Sequence, residues 1–427
     1  MDRMTDLIKK HKIMVLPLLL LSFYILGYLF LVISYCFPVD VIREHIRQDL
    51  YSVVSVGEWI PGHDDTVPDY YTDSLMLLEA EYATEDTAFI ASIKSPRALQ
   101  PESNFVYETY INYNENNGFT FYEYDYFRYW HGYLIILKPL LYLFSLGTVK
   151  YLTVLLQFIL LFSFVYYVMR SGYSFWYSVP MLAAYMFMNP ITLGLSFQYN
   201  TVFSLTVLSL VILFADHTKK KIVREFPAAF FFIIGMVTSY FDLMTYPVLT
   251  FGIPALYFFL LYLENDKKYH IRYVTLLVSW VAGYGGMWMG KWMISAALLG
   301  KDAFNDIKSS ISVRSGFDAS ETFSGDYVSY FEVLRRNLSV QAVYGLLILL
   351  VAAVVLLYGI VRRNCRMDKS DRSFLIICLI TGCLPFVWYF LLPNHSWIHY
   401  WFTYRTLAVS VCSIMMISLA SLDNTRS

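Results

Sequence analysis

The residues whose types suit chemistry lie at the edges of apolar segments. Asp69 and Asp73 belong to "GHDDTVPDYYTD", and His395, His399 and Arg405 belong to "PNHSWIHYWFTYR". A carboxylate can take a proton from a reacting hydroxyl, and a guanidinium can hold a phosphate in its planar fork. These side chains therefore suit proton transfer and anion binding, provided that the fold brings them together.

Apolar segments dominate the chain and must position these residues. Of the 427 residues, 57% are hydrophobic, 19% aromatic and 15% charged, whereas ordinary soluble domains carry roughly a quarter charged residues. Several runs approach or exceed the ~20 residues that cross a hydrocarbon core. The composition predicts an all-α polytopic membrane protein and excludes an ordinary soluble domain. The apolar runs are 13–36, 148–170, 174–190, 196–216, 226–244, 246–263, 273–299, 339–361, 374–392 and 404–421.

Basic residues orient these runs, because Lys and Arg concentrate in short cytoplasmic loops. Even numbers of runs separate the four basic clusters if 125–147 does not cross, so all four clusters share one side. We therefore expect about ten spans in the cell membrane, cytoplasmic termini, and extracytoplasmic loops at 37–147 and 300–338. The clusters are Arg3, Lys9, Lys10 and Lys12; Lys219, Lys220, Lys221 and Arg224; Lys267, Lys268 and Arg272; and Arg362, Arg363, Arg366, Lys369 and Arg372.

The stretch 125–147, "DYFRYWHGYLIILKPLLYLFSLG", is apolar but contains Lys138 and Pro139 in its middle. Its apolar part is short, as in interfacial segments. We expect a juxtamembrane helix in the outer leaflet, with Tyr129, Trp130 and Tyr133 at the headgroup level and Lys138 snorkelling. The weakest alternative split of the runs is 174–216, because polar residues interrupt its apolar pattern.

With this topology, unusual polar residues gather on the outer side of the membrane. Ionisable groups at membrane depth are costly and usually mark a site or a pathway. We therefore predict one extracytoplasmic site at the bilayer boundary. Its candidates are Asp64, Asp65, Asp69, Asp73, Glu79, Arg128, His131, Asn189, Gln198, Asn200, Asp242, Arg314, Asn394, His395, His399 and Arg405.

Several of these candidates also have a structural interpretation. Asp73 or Thr72 would suit the start of a helix that contains Leu75, Leu78 and Tyr82, so Asp73 is either a cap or a catalytic group. The aspartates of "GHDDTVPDYYTD" form either a solvated loop or a weak cation site. The section "ESNFVYETYINYNENNGFTFYEYDY" suggests short strands around its "NNG" turn.

The C-terminal candidates leave similar alternatives open. His395 and His399 are spaced to share one helical face, but without a nearby acidic partner they are a poor metal signature. Interfacial histidines among belt tryptophans are the simpler interpretation. A buried Arg405 needs an anion, either a phosphate or a structural carboxylate such as Asp242. Lys291 would snorkel to the outer interface.

The order of these features resembles the GT-C class of integral membrane glycosyltransferases over roughly residues 1–300. In that class one span is followed by a long outer loop with an acidic residue and juxtamembrane helices. "YYTDSLMLLEAEY" stands where the class carries its catalytic aspartate, and "YDYFRYWHGYLIILKPLLYLFSLG" resembles its juxtamembrane element. "NPITLGLSFQYNTVFSLTVLSL" resembles its outward turn after the third span. The chain departs in having "TDS" and "HGYLIILKPL" where the class has an acidic pair and adjacent prolines.

The resemblance implies transfer of a sugar from a polyprenyl-phosphate-linked donor to a glycan, lipid or cell-envelope acceptor, by inverting displacement. Asp73 or Asp69 would be the general base. A divalent cation is an optional cofactor in the class. Membrane lipid is the surrounding partner, and no nucleic acid is expected. The substrate- and phosphate-binding candidates are Arg405, Arg128, His131, Arg314, His395, His399, Asn394, Gln198, Asn200 and Asp242.

Two other functions fit parts of the pattern. An O-antigen-type polymerase or ligase would rely on Arg and His rather than on a carboxylate in the first loop. A transporter or flippase of lipid-linked glycans would need polar residues through the core and discontinuous helices. The middle regions of the apolar runs contain few polar residues, which favours the glycosyltransferase.

Overall fold

Apolar helices form most of the computed structural model, which describes residues 12–52, 66–103, 105–115, 118–219, 222–263, 268–316, 329–362 and 369–422. Asp64 and Asp65 lie outside these described residues. In the first third of the chain the elements are α1 (Lys12–Ser34), α2 (Val39–Arg47), α3 (Tyr70–Glu81), α4 (Ala88–Lys94), β1 (Pro96–Leu99), α5 (Val106–Glu115), β2 (Tyr122–Asp125) and α6 (Leu134–Leu143). Short 3-10 turns occupy Leu50–Ser52, Phe175–Ser178 and Tyr404–Leu407.

The remaining two thirds of the chain contains the long helices of the bundle. These elements are α7 (Leu146–Arg170), α8 (Val179–Phe187), α9 (Pro190–Leu195), α10 (Phe197–Lys219), α11 (Ile222–Glu225), α12 (Pro227–Phe241), α13 (Leu249–Tyr262) and α14 (Tyr269–Leu299). They are followed by α15 (Lys301–Ser315), α16 (Tyr330–Val340), α17 (Ala342–Arg362), α18 (Lys369–Gly382), α19 (Leu384–Leu391), α20 (Pro393–Ile398), α21 (Tyr400–Thr403) and α22 (Ala408–Leu422).

Five helical segments of the described chain are long and apolar enough to cross a membrane. A sixth crossing is possible if α16 and α17, which meet at an 80° bend, form one span. This supports an all-α membrane protein but does not confirm a count of about ten spans. The five segments are Val15–Ser34, Leu146–Arg170, Phe197–Lys219, Arg372–Leu391 and Tyr400–Ala420.

Several predicted spans are shorter, broken or less apolar than a simple crossing helix. The run 174–190 yields only the nine-residue α8, because the chain turns at Asn189 with a φ of +61° before α9 begins. The apolar helices α12 and α13 have 15 and 14 residues. The longest helix, α14, has 31 residues but is too rich in polar and small side chains to count among the five.

The stretch 125–147 forms the ten-residue α6, which contains Pro139. At 1.5 Å per residue this helix spans about 15 Å, half the thickness of a hydrocarbon core. The side chains of Tyr129, Trp130 and Tyr133, which were predicted to lie at the headgroup level, are buried within the protein. Trp130 instead donates from Nε1 to the carbonyl of Met287 at 2.7 Å, which ties this segment to α14.

The two lysines expected to snorkel are also buried. The Lys138 ammonium lies 4.2 Å from the ring centroid of Tyr35. Lys291 donates to the carbonyl of Ile93 at 2.8 Å. Loop segments cover both lysines, so neither side chain extends its ammonium to the membrane interface.

The segment between α1 and α7 folds differently from its predicted pattern. The residues before the "NNG" turn form the helix α5, and only the residues after it form a strand, β2. That strand pairs antiparallel with β1, and Arg97 stands opposite Tyr124. The predicted hairpin is therefore wrong, because the strand's partner lies earlier in the chain.

Two apolar cores hold these elements. One lies within the helix bundle, and the other lies under the loop segment, where α1, α3 and α6 meet α12 and α14. Helices α12 and α14 cross closely at Gly235 and Gly283. A Cβ at Gly283 would lie 2.1 Å from the carbonyl oxygen of Phe232, so only glycine permits this approach.

Charged residues divide between the two ends of the bundle. Arg170 and Lys219 line one shallow pocket, and Arg224 and Arg272 line another together with Val15 near the start of α1. None of the described candidates for the predicted site lines either of these pockets. We call the region that contains those described candidates the polar end of the bundle.

Candidate active site at the polar end of the bundle

Asp73 lies in the first turn of α3, and its carboxylate reaches the start of α10. Its Oδ1 accepts a hydrogen bond from the backbone N–H of Phe197 at 3.0 Å. Only 1% of the side chain is exposed. The predicted role as cap of its own helix is wrong: Asp69 caps α3 by accepting from the N–H of Thr72 at 3.0 Å. Asp73 instead supports the beginning of a long helix elsewhere in the chain.

The second oxygen of Asp73 faces a buried ammonium. Lys150, near the start of α7, places its Nζ 3.7 Å from Asp73 Oδ2. Burial raises the pKa of Asp73 to about 7, while Lys150 opposes that rise and Asp69 adds to it. A carboxyl whose pKa is raised in this way suits proton transfer near neutral pH.

Asp69 lies one helical turn before Asp73 and is equally enclosed. Its backbone N–H donates to Ser196 Oγ at 2.9 Å, which fixes α3 against the turn before α10. Burial raises the pKa of Asp69, and the Arg405 guanidinium opposes that shift. Its Oδ2 has no hydrogen-bond partner among the described residues.

Arg405 is fully buried and is occupied by neutral groups. Its Nε donates to Met188 O at 3.1 Å, and one terminal nitrogen donates to Thr192 Oγ1 at 2.8 Å. The guanidinium carbon lies 3.7 Å from the ring centroid of Tyr199. Of the two anions considered for Arg405, a phosphate or a structural carboxylate such as Asp242, the carboxylate is not found: no described carboxylate lies within ion-pair distance of Arg405. Arg405 fastens the broken α8–α9 segment and influences Asp69 electrostatically.

An apolar groove begins beside Asp73 and runs between α6, α7 and α10. Its volume is about 340 Å³. Phe197 belongs both to its wall and to the Asp73 contact, and the Lys150 Nζ lies 5.7 Å from the centroid of that ring. Asn200 supplies one of the few polar groups of the wall. The lining includes Met76, Tyr133, Leu140, Val149, Leu156, Leu160, Thr201, Ser204, Leu205 and Leu208.

Asp242 is held by several hydrogen bonds at the end of α12. It accepts from Gln198 Nε2 at 2.8 Å, from the N–H of Thr245 at 3.1 Å and from the Thr245 hydroxyl at 2.6 Å. Burial raises its pKa to about 6, and these donors oppose the shift. The arrangement is typical of a carboxylate that fixes a turn.

His395 and His399 lie together at the same end, with ring centroids 4.9 Å apart. His395 Nε2 lies 2.8 Å from the carbonyl oxygen of Met244. Burial lowers the pKa of His399 to about 3, and Arg314 adds to that shift. Neutral histidines of this kind can form hydrogen bonds with a ligand, but they carry no positive charge to attract an anion. Asn394 is engaged with the carbonyl of Val313 at 2.9 Å.

His131 and Glu79 form a separate buried contact. His131 Nδ1 lies 2.9 Å from Glu79 Oε2, and Nε2 lies 2.6 Å from the carbonyl oxygen of Tyr126. The Tyr133 hydroxyl also donates to Glu79. Both ring nitrogens of His131 are thus engaged within the protein, which leaves no free nitrogen for the predicted sugar or phosphate contact.

Arg128 and Arg314 lie over the tyrosine-rich loop. Arg128 Nε lies 3.4 Å from Asp306 Oδ2. Arg314 donates to the Tyr129 hydroxyl at 2.8 Å. Neither arginine lines the apolar groove.

Lys150 is the site residue that the sequence did not reveal. It stands among the first residues of an apolar run, where a lysine is ordinarily an interfacial anchor. Only the packing of α7 against α3 and α10 turns its ammonium towards Asp73. Among the described residues, no group of three or more His, Cys, Asp or Glu side chains could hold a metal ion.

Comparison with known proteins adds no relative to this picture. No family model, curated protein or solved structure matches the chain.

Proposed function

We propose that this chain is a membrane glycosyltransferase of the GT-C type. It takes a sugar from a polyprenyl-phosphate-linked donor and transfers it to an extracytoplasmic glycan, lipid or cell-envelope acceptor. About ten spans, cytoplasmic termini and an extracytoplasmic active site belong to the same proposal. The observation that carries it is a buried carboxylate, Asp73, that lies beside a buried ammonium, Lys150, and accepts a hydrogen bond from Phe197 in the wall of an apolar groove.

The groove suits the polyprenyl tail of the donor. Its wall is almost wholly hydrocarbon, and each buried CH₂ contributes about 0.8 kcal/mol. A tail between α7 and α10 would bring its phosphate towards Lys150. Because the sugar would then lie between Asp73 and the phosphate, the Lys150 ammonium would leave its 3.7 Å contact with Asp73 to stabilise the negative charge that grows on the departing phosphate.

Asp73 suits the general base. It would take the proton of the acceptor hydroxyl while that oxygen attacks the anomeric carbon from the face opposite the phosphate. The sugar–oxygen bond to the carrier breaks, and the phosphate leaves with the bonding electron pair. Asp69 is the second candidate base, since its Oδ2 likewise has no hydrogen-bond partner among the described residues.

A transfer assay tests the proposal. Purified protein in liposomes would receive labelled polyprenyl-phosphate hexoses together with a membrane extract from the source cells as acceptor. Wild type should form a labelled product, and Asp73→Asn should not. Asp40→Asn is the matched control, because that carboxylate is 96% exposed on α2. Absence of product from wild type with every donor, or full activity of both Asp73→Asn and Asp69→Asn, would refute the proposal.

A polymerase or ligase of lipid-linked glycans is the second candidate. It is favoured by the neutral His395–His399 pair beside Arg314, since each histidine keeps an unpaired Nδ1 among the described residues. A ladder of product lengths, lost in His399→Gln but kept in Asp73→Asn, would identify this function. Movement of labelled lipid across the bilayer without bond formation would identify a transporter instead.

A further inference from the structure

Three arginines and four tyrosines form a layered cluster at the polar end. Arg97 on β1 lies over Tyr124, with its guanidinium carbon 4.8 Å from the ring centroid. Arg128 lies over Tyr126 at 4.9 Å. Arg314 lies over the next ring, Tyr129, at 5.7 Å. We call these residues, with Tyr71, the arginine–tyrosine cluster.

This cluster carries more positive charge than its surroundings neutralise. Arg97 is only 8% exposed, and its Nε has no hydrogen-bond partner among the described residues. Within the described chain, Asp306 is the one carboxylate in ion-pair distance of the three guanidinium groups, and it is 41% exposed. A buried cation without a counter-ion is costly, so the arrangement favours an anion from outside the protein.

The cluster adjoins the aspartates through Tyr71. That side chain is 39% exposed, and it interacts electrostatically with Arg97, Arg128 and Asp69. None of the three arginines lines the apolar groove. In the proposed function, the groove for the lipid tail and the arginine–tyrosine cluster are therefore separate binding surfaces.

We propose that the arginine–tyrosine cluster binds an anionic group of the acceptor, a carboxylate or a phosphate, and thereby selects acidic glycans. The inference rests on the proposed function. Arginine forks suit carboxylate and phosphate oxygens, and tyrosine rings suit the faces of sugars. The donor phosphate is left to Lys150 at the head of the groove, so each substrate has its own cation.

Binding measurements distinguish an anionic group of the acceptor from the phosphate of the lipid carrier. Titration of the protein in nanodiscs would use trigalacturonate as an acidic probe, galactotriose as its neutral counterpart and undecaprenyl phosphate as the lipid. Trigalacturonate should bind at least about tenfold more tightly than galactotriose, and Arg97→Gln or Arg128→Gln should remove about tenfold of that affinity. Undecaprenyl phosphate should bind these variants as it binds wild type. Arg335→Gln on α16 is the control, since that arginine is exposed and outside the cluster.

Two binding results would overturn the inference. One is equal binding of the acidic and neutral trisaccharides, which would leave the cluster as packing alone. The other is loss of undecaprenyl phosphate binding in Arg97→Gln, which would assign the cluster to the carrier. If Arg97→Gln does not fold, Arg97→Lys replaces it, because the lysine keeps the charge and loses the fork. If these variants transfer sugar to a neutral acceptor at the wild-type rate, the inference is refuted, while the proposed glycosyltransferase function still holds.

Discussion

Two buried carboxylates at the polar end, Asp73 and Asp242, have very different surroundings. Asp242 accepts hydrogen bonds from Gln198 and from both the N–H and hydroxyl of Thr245. Asp73 accepts from the backbone N–H of Phe197 on Oδ1, and its Oδ2 has no partner within hydrogen-bond distance but lies 3.7 Å from the Lys150 ammonium. Among the described residues, Asp73 has an ammonium within ion-pair distance and Asp242 has none.

The difference teaches which kind of buried acid is a candidate for chemistry. Asp242 is stabilised by donors that come from its own turn and from a neighbouring helix, so its role is explained by structure. Asp73 has one oxygen to which no described group donates a hydrogen bond, and a lysine ammonium lies next to that oxygen. A strongly perturbed acid in such a setting is a functional candidate on physical grounds.

The sharpest test of this comparison exchanges both acids for their amides. Asp73→Asn should lower sugar transfer by about 10³-fold, because an amide cannot take the proton. Asp242→Asn should stay within about threefold of wild type, because the amide oxygen still accepts a hydrogen bond. Initial rates of labelled product formation measure both. Equal losses of transfer activity in the two variants would contradict the assignment of a catalytic role to Asp73 and a structural role to Asp242.

The lysine beside Asp73 should set the pH dependence. The Asp73 carboxyl has a pKa of about 7 and works only when ionised, so activity should rise with pH and level off above that value. Lys150 favours the ionised form, so Lys150→Met should raise the pKa and move the rising limb about one to two units higher. Lys150→Arg keeps the charge and should restore the wild-type profile. Transfer rates measured from pH 5 to about 9 test this expectation. If the rise in activity occurs at the same pH in Lys150→Met as in wild type, Lys150 does not set the pKa of Asp73.

The groove should affect lipid affinity more than turnover. Ser204→Trp places a large ring in the space between α7 and α10, and we expect KM for the lipid donor to rise about tenfold with little change in kcat. Leu346→Trp on α17 is the control, since that side chain is 67% exposed. Equal KM values in the two variants would show that the tail binds elsewhere.

The smallest effect concerns Asp242 as a structural group. Asp242→Ala leaves the Thr245 N–H without its acceptor and should cost about 1–2 kcal/mol of folding free energy. The unfolding temperature in detergent should fall by a few degrees, while the pH profile of transfer stays unchanged. A shifted pH profile would give Asp242 a role that this comparison denies it.

The sequence could predict the grouping of polar residues because sidedness follows from basic loops and from the lengths of apolar runs. Asp69 and Asp73 on α3 and Gln198 at the start of α10 do meet at one end of the bundle. The sequence could not predict that Asp73 would support another helix. That contact depends on how α3 packs, and packing between distant segments leaves no local pattern.

The burial of three lysines could not be predicted from the sequence. Lys138, Lys150 and Lys291 each lie in or near apolar runs, where snorkelling is the usual expectation. The loop segment covers Lys138 and Lys291, and α3 covers Lys150. The broken α8–α9 segment was signalled by Asn189 and Pro190, but the short helices on either side have no periodicity that could set their lengths.

Photolabelling tests the central claim most directly, that a polyprenyl-phosphate-linked sugar lies in the groove below Asp73. A donor with a diazirine on its tail would be bound to the protein in nanodiscs and irradiated, and labelled peptides would be located by mass spectrometry. The account predicts label on α7 and α10, near Leu156 and Leu205, and its suppression by Ser204→Trp. Label spread over the exposed surface of α17, with the groove unlabelled, would contradict it.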